Sequence, residues 1–192
     1  PIQPAHSITA TILERLAAIE ETHTVRILYA CESGSRAWGF ASPDSDYDVR
    51  FIYVQPRDEY LRIDLERHRD VIECPIEGVF DINGWDWRKA LQLMHKGNPP
   101  LFEWLHSPMV YRAQPGFRDA MQVLTTRYYA PLACAWHYLH MARGNYREYL
   151  QGDRVRLKKY LYVLRPLLAV NWLESGRGGA SCRCAPASWW RR

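Results

Sequence analysis

Two aspartates separated by a single residue, Asp46 and Asp48, open an apolar stretch that ends at Val54. Residues two apart in a β-strand point to the same face, so a strand over residues 46–54 would place both carboxylates on one surface. Two anions at this distance repel each other unless a positive charge lies between them, and a hard divalent cation such as Mg²⁺ is the usual partner of oxygen ligands. The pair therefore predicts a strand that carries a metal site.

A Gly-Ser dipeptide, Gly34 and Ser35, precedes Asp46 with ten residues between them. Glycine lets the backbone approach a ligand closely, serine offers a hydroxyl, and a helical turn after them would aim free N–H groups at a phosphate. The intervening residues, rich in Gly, Ser and Pro, predict a turn or an irregular loop. A phosphate cradle beside a carboxylate pair predicts nucleotide chemistry.

A third carboxylate, Asp81, lies in the apolar segment 79–82, which predicts another strand. If Asp46 and Asp48 bridge two ions and Asp81 completes the site of one of them, the metals would activate an attacking hydroxyl and neutralise charge on an α-phosphate. Asp86 is the alternative third ligand, although its position directly before Trp87 favours a helix N-cap. Without Gly-Ser and the third strand, Asp-x-Asp would fit a polar turn equally well.

The remaining pattern predicts an α+β fold in which a small mixed sheet is packed by helices and followed by a helical C-terminal half. Strands are predicted at 25–31, 46–54 and 79–82, with a turn at Asn83-Gly84. Helices are predicted at 8–21, 57–63, from 86 to about 97, from 99 onward, and at 115–126, 130–143 and 153–174. We expect a catalytic core over residues 1–108 and a basic helical region over 109–192, with an atypical tail after residue 175.

Acidic and basic side chains are distributed unevenly on the two sides of residue 108. Residues 1–108 hold 11 basic and 17 acidic side chains, whereas residues 109–192 hold 14 basic and 4 acidic ones. The first part is suited to metal ions and the second to phosphates or RNA, although a solvated charged face would look similar.

The chain contains no apolar run of the ~20 residues that a membrane span needs, and residues 1–10 lack the layout of a signal peptide. Its five cysteines are an odd number without a regular framework, which favours a reduced compartment. Cys182 and Cys184 have no second pair with which to bind zinc, so they are interpreted as incidental. A cytoplasmic protein without a membrane partner is expected.

Residues 34–50, GSRAWGFASPDSDYDVR, resemble the signature of the RNA repair pathway polymerase β-like family of nucleotidyltransferases. Further resemblance runs through residues 81–108, 145–150 and 158–169. The resemblance implies a polymerase β-like fold, an NTP substrate, and two Mg²⁺ ions, or Mn²⁺ in their place, held by Asp46, Asp48 and Asp81.

Four basic residues are candidates for the triphosphate site beside Gly34 and Ser35. Arg36 follows the Gly-Ser pair directly, while Lys158 and Arg165 lie seven residues apart and so share one face of a predicted helix. Lys159 is included because KKYLYVLRP resembles a block of the family. An ordinary exposed arginine and a solvated basic helix remain the alternatives.

The functional hypothesis is transfer of a nucleoside monophosphate from an NTP to a hydroxyl acceptor, with an RNA 3′ end favoured by the family and by the basic second half. Two alternatives stay open. One is a minimal nucleotidyltransferase of a toxin–antitoxin system that modifies a partner protein or tRNA. The other is a non-catalytic nucleotide- or RNA-binding module that retains the fold.

Overall fold

The structure is a computed structural model that describes residues 5–152 and 154–175. Within these residues the strands are β1 (Arg26–Ser33), β2 (Tyr47–Val54), β3 (Val71–Glu73), β4 (Phe80–Asp86) and β5 (Val110–Ala113). The helices are α1 (Ala5–His23), α2 (Gly34–Ala37), α3 (Arg57–Tyr60), α4 (Trp87–His95), α5 (Pro99–Leu105), α6 (Phe117–Tyr128), α7 (Pro131–Tyr149) and α8 (Leu157–Glu174), with a short 3₁₀ turn at Leu65–Arg67. The predicted α+β class is confirmed.

The strands form one mixed sheet in the order β3-β4-β2-β1-β5. The pairing of β2 with β4 is parallel, whereas β1 with β2, β1 with β5 and β3 with β4 are antiparallel. Parallel neighbours need a crossover, and here residues 55–79, which include α3 and β3, supply it. The start of β2 is thereby brought beside the start of β4.

Side chains on the two faces of the sheet belong to two apolar clusters. On one face, Phe51 of β2 packs with Ile12 and Leu16 of α1. On the other, Ile52 of β2 packs with residues of α4 to α8, among them Leu101. Because side chains alternate along a strand, Asp48 and Arg50 lie on the same face as Ile52, toward the helices of the second cluster.

The strand boundaries correct three sequence predictions. β2 begins at Tyr47, so Asp46 lies just outside the strand. The predicted turn at Asn83-Gly84 is wrong, since β4 continues through both residues to Asp86 while paired with β2. The strands β3 and β5 were not predicted because they are three and four residues long and lack a buried apolar run.

The predicted boundary at residue 108 stays a prediction, but the sheet extends beyond it because β5 pairs with β1. The apolar cluster on the Ile52 face also contains Met121 of α6, Tyr138 of α7 and Ala169 of α8. Residues on both sides of position 108 therefore share one core.

The three predicted C-terminal helices are present as α6, α7 and α8, and α7 runs six residues beyond its predicted end. No helix in the described part of the chain is both long and apolar enough to cross a membrane. The predicted atypical tail, with Cys182 and Cys184, lies outside the described residues.

Gly84 is required where it stands in β4. A Cβ built there would lie 2.1 Å from a ring carbon of Phe51, which is fully buried. We expect Gly84→Ala to lower the free energy of unfolding by roughly 1–3 kcal/mol, because the methyl group overpacks the core. The control Gly144→Ala, in α7 with no atom within 4 Å of the new methyl, should stabilise the chain by about 0.5–1 kcal/mol. Urea denaturation of both variants measures the difference, and equal stabilities would contradict this packing.

Candidate active site

Two carboxylates face each other at the start of the parallel strand pair. Asp48 of β2 is directly opposite Asp81 of β4 in the register. Their side chains are 28% and 24% exposed, so both are partly withdrawn from solvent while remaining accessible from one side. Two of the three predicted metal ligands are therefore neighbours.

An arginine that the sequence did not single out bridges the pair. Arg50 Nη2 lies 2.7 Å from Asp81 Oδ2 and 3.4 Å from Asp48 Oδ1, and Nη1 donates to the backbone carbonyl of Asp81 at 2.8 Å. The other Asp81 oxygen, Oδ1, accepts a 2.5 Å hydrogen bond from Asn83 Nδ2. Arg50 and Asn83 each follow an aspartate by two residues, and this same-face spacing is the signal by which they could have been found.

Asp48 is electrostatically perturbed. Burial raises the pKa of its carboxyl, the guanidinium of Arg50 opposes that shift, and the negative charges of Asp81 and Asp46 raise the pKa again. The ammonium of Lys158 acts in the lowering direction. A carboxylate whose charged form is disfavoured by burial and by like charges gains from an added cation.

Gly34 provides the space that Asp48 occupies. Its φ is +62°, in the left-handed region, and a Cβ on it would lie 2.0 Å from Asp48 Oδ2. Ser35, the next residue, is buried in the single turn α2. The close approach at Gly34 was predicted for a ligand and stays a prediction; in the structure the group nearest to Gly34 is the Asp48 carboxylate.

Asp46 is exposed and lies one residue before β2. Its negative charge reaches Asp48, but strand geometry does not fix its side chain. Among residues 5–152 and 154–175, no group of three or more His, Cys, Asp or Glu side chains is arranged to hold a metal ion. The structure brings Asp48 and Asp81 together and leaves Asp46 at the edge of the site.

Arg36 braces the loop that leads into β2. Its guanidinium donates to the carbonyls of Ser45 and Asp46 at 2.6 and 3.1 Å and lies 3.8 Å from the centroid of the Tyr47 ring. These contacts fix the backbone on both sides of Asp46. The contacts of Arg36 are therefore with the loop around Asp46, and its predicted contact with the triphosphate stays a prediction.

The basic residues of α8 occupy three different environments. Lys158 Nζ donates to Ser45 Oγ at 3.0 Å, which brings α8 to the loop before β2. Lys159 Nζ lies 3.6 Å from the ring centroid of Tyr149. Arg165 is 3% exposed and pairs with Glu103 at 2.9 Å. Lys158 is brought to the carboxylates, whereas Arg165 is buried in an ion pair.

Tyr162, one turn after Lys158 on α8, is a further neighbour of the site. Burial raises the pKa of its hydroxyl, and the charges of Asp48 and Asp46 raise it further. The ring of Phe40, from the loop after α2, meets the Tyr162 ring edge-on at 6.4 Å. Tyr162 therefore lies near the two aspartates, with Phe40 packed against its ring.

Glu32, at the end of β1, is fully buried and was missed by sequence reasoning. Its Oε1 accepts a hydrogen bond from the backbone N–H of Asp48 at 2.8 Å, and its Oε2 accepts one from the Tyr111 hydroxyl at 2.5 Å. Burial raises the pKa of Glu32 to about 6, against the two hydrogen bonds, which lower it. Glu32 therefore ties Asp48 to β5, and nothing in its local sequence distinguishes it from other glutamates.

Asp86, the alternative third ligand, is the N-cap of α4. Its Oδ1 accepts from the backbone N–H of Arg88 at 2.7 Å, and its Oδ2 accepts from Gln55 and Tyr60 at 3.0 Å each. It is 1% exposed. The predicted capping role is confirmed, and Asp86 lies at the far end of β4 from Asp81.

The sequence is similar to those of a known protein family. The sequence model of the RNA repair pathway DNA polymerase beta family matches residues 8–181, a range that contains every predicted site residue. The chain is 52% identical over 163 residues to the Uncharacterized protein YcgL of Bacillus subtilis (strain 168), a match that covers 85% of this chain and 62% of that protein. The chain thus spans less than two thirds of that relative's length.

Among solved structures, the chain matches a nucleotidyltransferase-like protein from Exiguobacterium sibiricum 255-15. The match has a TM-score of 0.39 and 11% sequence identity, and it covers 88% of this chain and 57% of that chain.

The contact between Gly34 and Asp48 can be separated from backbone strain by comparing two glycines. Gly34 and Gly39 both have positive φ, but a Cβ on Gly39 meets no atom within 4 Å. We expect Gly34→Ala to lower the free energy of unfolding by roughly 1–3 kcal/mol more than Gly39→Ala, because only the first methyl collides with the Asp48 carboxylate. Chemical denaturation of the two variants gives the comparison. Equal losses would mean that strain alone accounts for Gly34.

The buried carboxyl of Glu32 makes stability depend on pH. Its pKa is about 6 in the folded chain against an ordinary value of 4.5, so the folded chain binds the proton more tightly than the unfolded chain. Relative to Glu32→Gln, the wild type should lose about 2 kcal/mol as the pH rises from about 4.5 through about 6. Urea denaturation of both proteins at about pH 4 and about pH 7 measures this.

A matched control for Glu32 is the surface residue Glu66, whose side chain is 84% exposed. Glu66→Gln should follow the wild type at both pH values. A constant difference between wild type and Glu32→Gln across the two pH values would contradict the assignment.

Proposed function

We propose, on the premise that this chain belongs to the RNA repair pathway DNA polymerase beta family, that it transfers a nucleoside monophosphate from an NTP to a hydroxyl acceptor. The observation that carries the proposal is the placement of Asp48 opposite Asp81, beside Gly34 and Ser35. Paired carboxylates on adjacent strands are the ligands that a divalent ion requires.

The residues fit a magnesium site in their chemistry. Asp48 and Asp81 offer hard oxygen ligands from adjacent strands, and the exposed Asp46 lies one residue before β2. In the proposal these three carboxylates hold two Mg²⁺ ions, or Mn²⁺ in their place. When bound, such ions supply the positive charge that lowers the pKa of an attacking hydroxyl and offsets charge on the phosphate.

The basic residues then bind the triphosphate. Lys158 is the strongest candidate, because its ammonium is already hydrogen-bonded at Ser45 and acts on the charge of Asp48. Arg36 lies on the same loop, and Lys159 is the next residue of α8. We assign Arg165 a supporting role, because its buried pair with Glu103 anchors α8 and leaves no donor facing solvent.

The acceptor in the proposal is an RNA 3′ end. The family description names RNA repair, and residues 109–192 carry the basic excess that phosphate backbones attract. A tRNA or a protein hydroxyl uses the same chemistry at the metals, so the carboxylates do not discriminate among these acceptors. The acceptor therefore has to be identified by assay.

The test is an assay with labelled NTPs, Mg²⁺ and a panel of RNA, tRNA and protein acceptors. We expect label on an RNA 3′ end, and we expect Asp48→Asn and Asp81→Asn each to reduce the rate by at least about 100-fold, because each removes a carboxylate ligand of the ions that offset charge on the reacting phosphate. Asp64→Asn is the matched control. Asp64 is an exposed aspartate paired with Arg62, away from the site, and its variant should keep the wild-type rate.

Three outcomes would revise the proposal. Label on tRNA or protein would retain nucleotidyl transfer and change the acceptor. Nucleotide binding that is saturable, insensitive to Mg²⁺ removal and unaccompanied by transfer would favour a binding module. Transfer that survives Asp48→Asn with Asp81→Asn would overturn the role of the carboxylate pair.

A further inference from the structure

We propose that Arg50 is a built-in counter-cation for the Asp48–Asp81 pair, so that a divalent ion binding there exchanges with a positive charge already present. This inference rests on the proposed function, because it concerns the ion that the same carboxylates would hold. It assigns to Arg50 a positioning role that also limits metal affinity.

The contacts of Arg50 hold its guanidinium against the Asp48–Asp81 pair. Nη2 lies between the two carboxylates, 2.7 Å from Asp81 and 3.4 Å from Asp48, and Nη1 donates to the backbone carbonyls of Asp81 and Val49 at 2.8 and 3.1 Å. The side chain is only 17% exposed. A guanidinium is a permanent positive charge in a protein.

The bridge is unequal between the two aspartates. Both Asp81 oxygens have short hydrogen bonds, one from Arg50 and one from Asn83. Within residues 5–152 and 154–175, the hydrogen-bond contact of the Asp48 carboxylate is the 3.4 Å one from Arg50 at Oδ1, and its Oδ2 lies over Gly34. Asp81 is therefore the carboxylate that loses most if Arg50 moves away, and Asp48 is the one more available to a new cation.

A metal ion and the guanidinium of Arg50 would compete for the same two carboxylates, Asp48 and Asp81. A Mg²⁺ ion held by Asp48 and Asp81 would take carboxylate oxygens that Arg50 contacts. Two positive charges that share the same carboxylates repel each other. Either the arginine withdraws or the ion binds against this repulsion, and in both cases Arg50 weakens metal binding.

The test measures the binding of Mn²⁺ to the full chain, with electron paramagnetic resonance used to quantify the free ion. Arg50→Met should bind Mn²⁺ at least about tenfold more tightly than the wild type, because the competing charge is gone. Arg88→Met is the matched control, since Arg88 also bridges a carboxylate, that of Glu66, and a backbone carbonyl, that of Leu65. Its affinity for Mn²⁺ should equal that of the wild type.

Thermal unfolding gives a second readout without any assay of activity. In EDTA, Arg50→Met should melt about 2–8 °C below the wild type, because two facing carboxylates lose their shared cation. Saturating Mn²⁺ should raise its melting temperature by more than it raises that of the wild type. If Arg50→Met does not fold in EDTA, Arg50→Lys replaces it in both measurements, and its affinity should lie between wild type and the tenfold gain.

The outcomes separate this inference from the proposed function. If Mn²⁺ binds the wild type and is lost in Asp48→Asn with Asp81→Asn, but Arg50→Met binds no more tightly, the role of Arg50 is overturned and the metal site stands. If neither the wild type nor Arg50→Met binds Mn²⁺, the metal site itself fails and the inference fails with it.

Discussion

The parallel pairing of β2 with β4 is the constraint on which the site depends. It sets Asp48 opposite Asp81 and, two residues further, Arg50 opposite Asn83. A slip of one residue would turn these side chains to the α1 face, where Phe51 and Ile82 pack. The apolar alternation that buries Phe51 therefore also fixes which face carries the carboxylates, and the core and the site share one register.

Local sequence patterns predicted part of the fold and part of the site. The alternation in DYDVRFIYV gave β2 to within one residue, and the capping position of Asp86 was identified from its place before Trp87. Strand β4 was found but ended too early, because Asn83-Gly84 has the composition of a turn. Its continuation depends on Phe51, a partner thirty-three residues earlier in the chain whose ring lies where a Cβ at Gly84 would be.

The rest of the site consists of pairings that no local pattern encodes. Glu32 belongs to the site because the sheet places its carboxylate between the backbone of Asp48 and the hydroxyl of Tyr111. Arg165 had the right spacing from Lys158 to share its helix face, but burial against Glu103 gave it a structural partner. Helical periodicity gives the face of a residue and not the element that will cover it.

The hydrogen bond from Lys158 to Ser45 joins residues 113 positions apart in the chain. Closing so long a loop costs chain entropy before the contact forms, so the position of α8 depends on its packing in the core that it shares with the sheet, to which it contributes Ala169. Any change that loosens α8 from that core therefore also takes the ammonium of Lys158 away from the carboxylates, without altering a residue of the site.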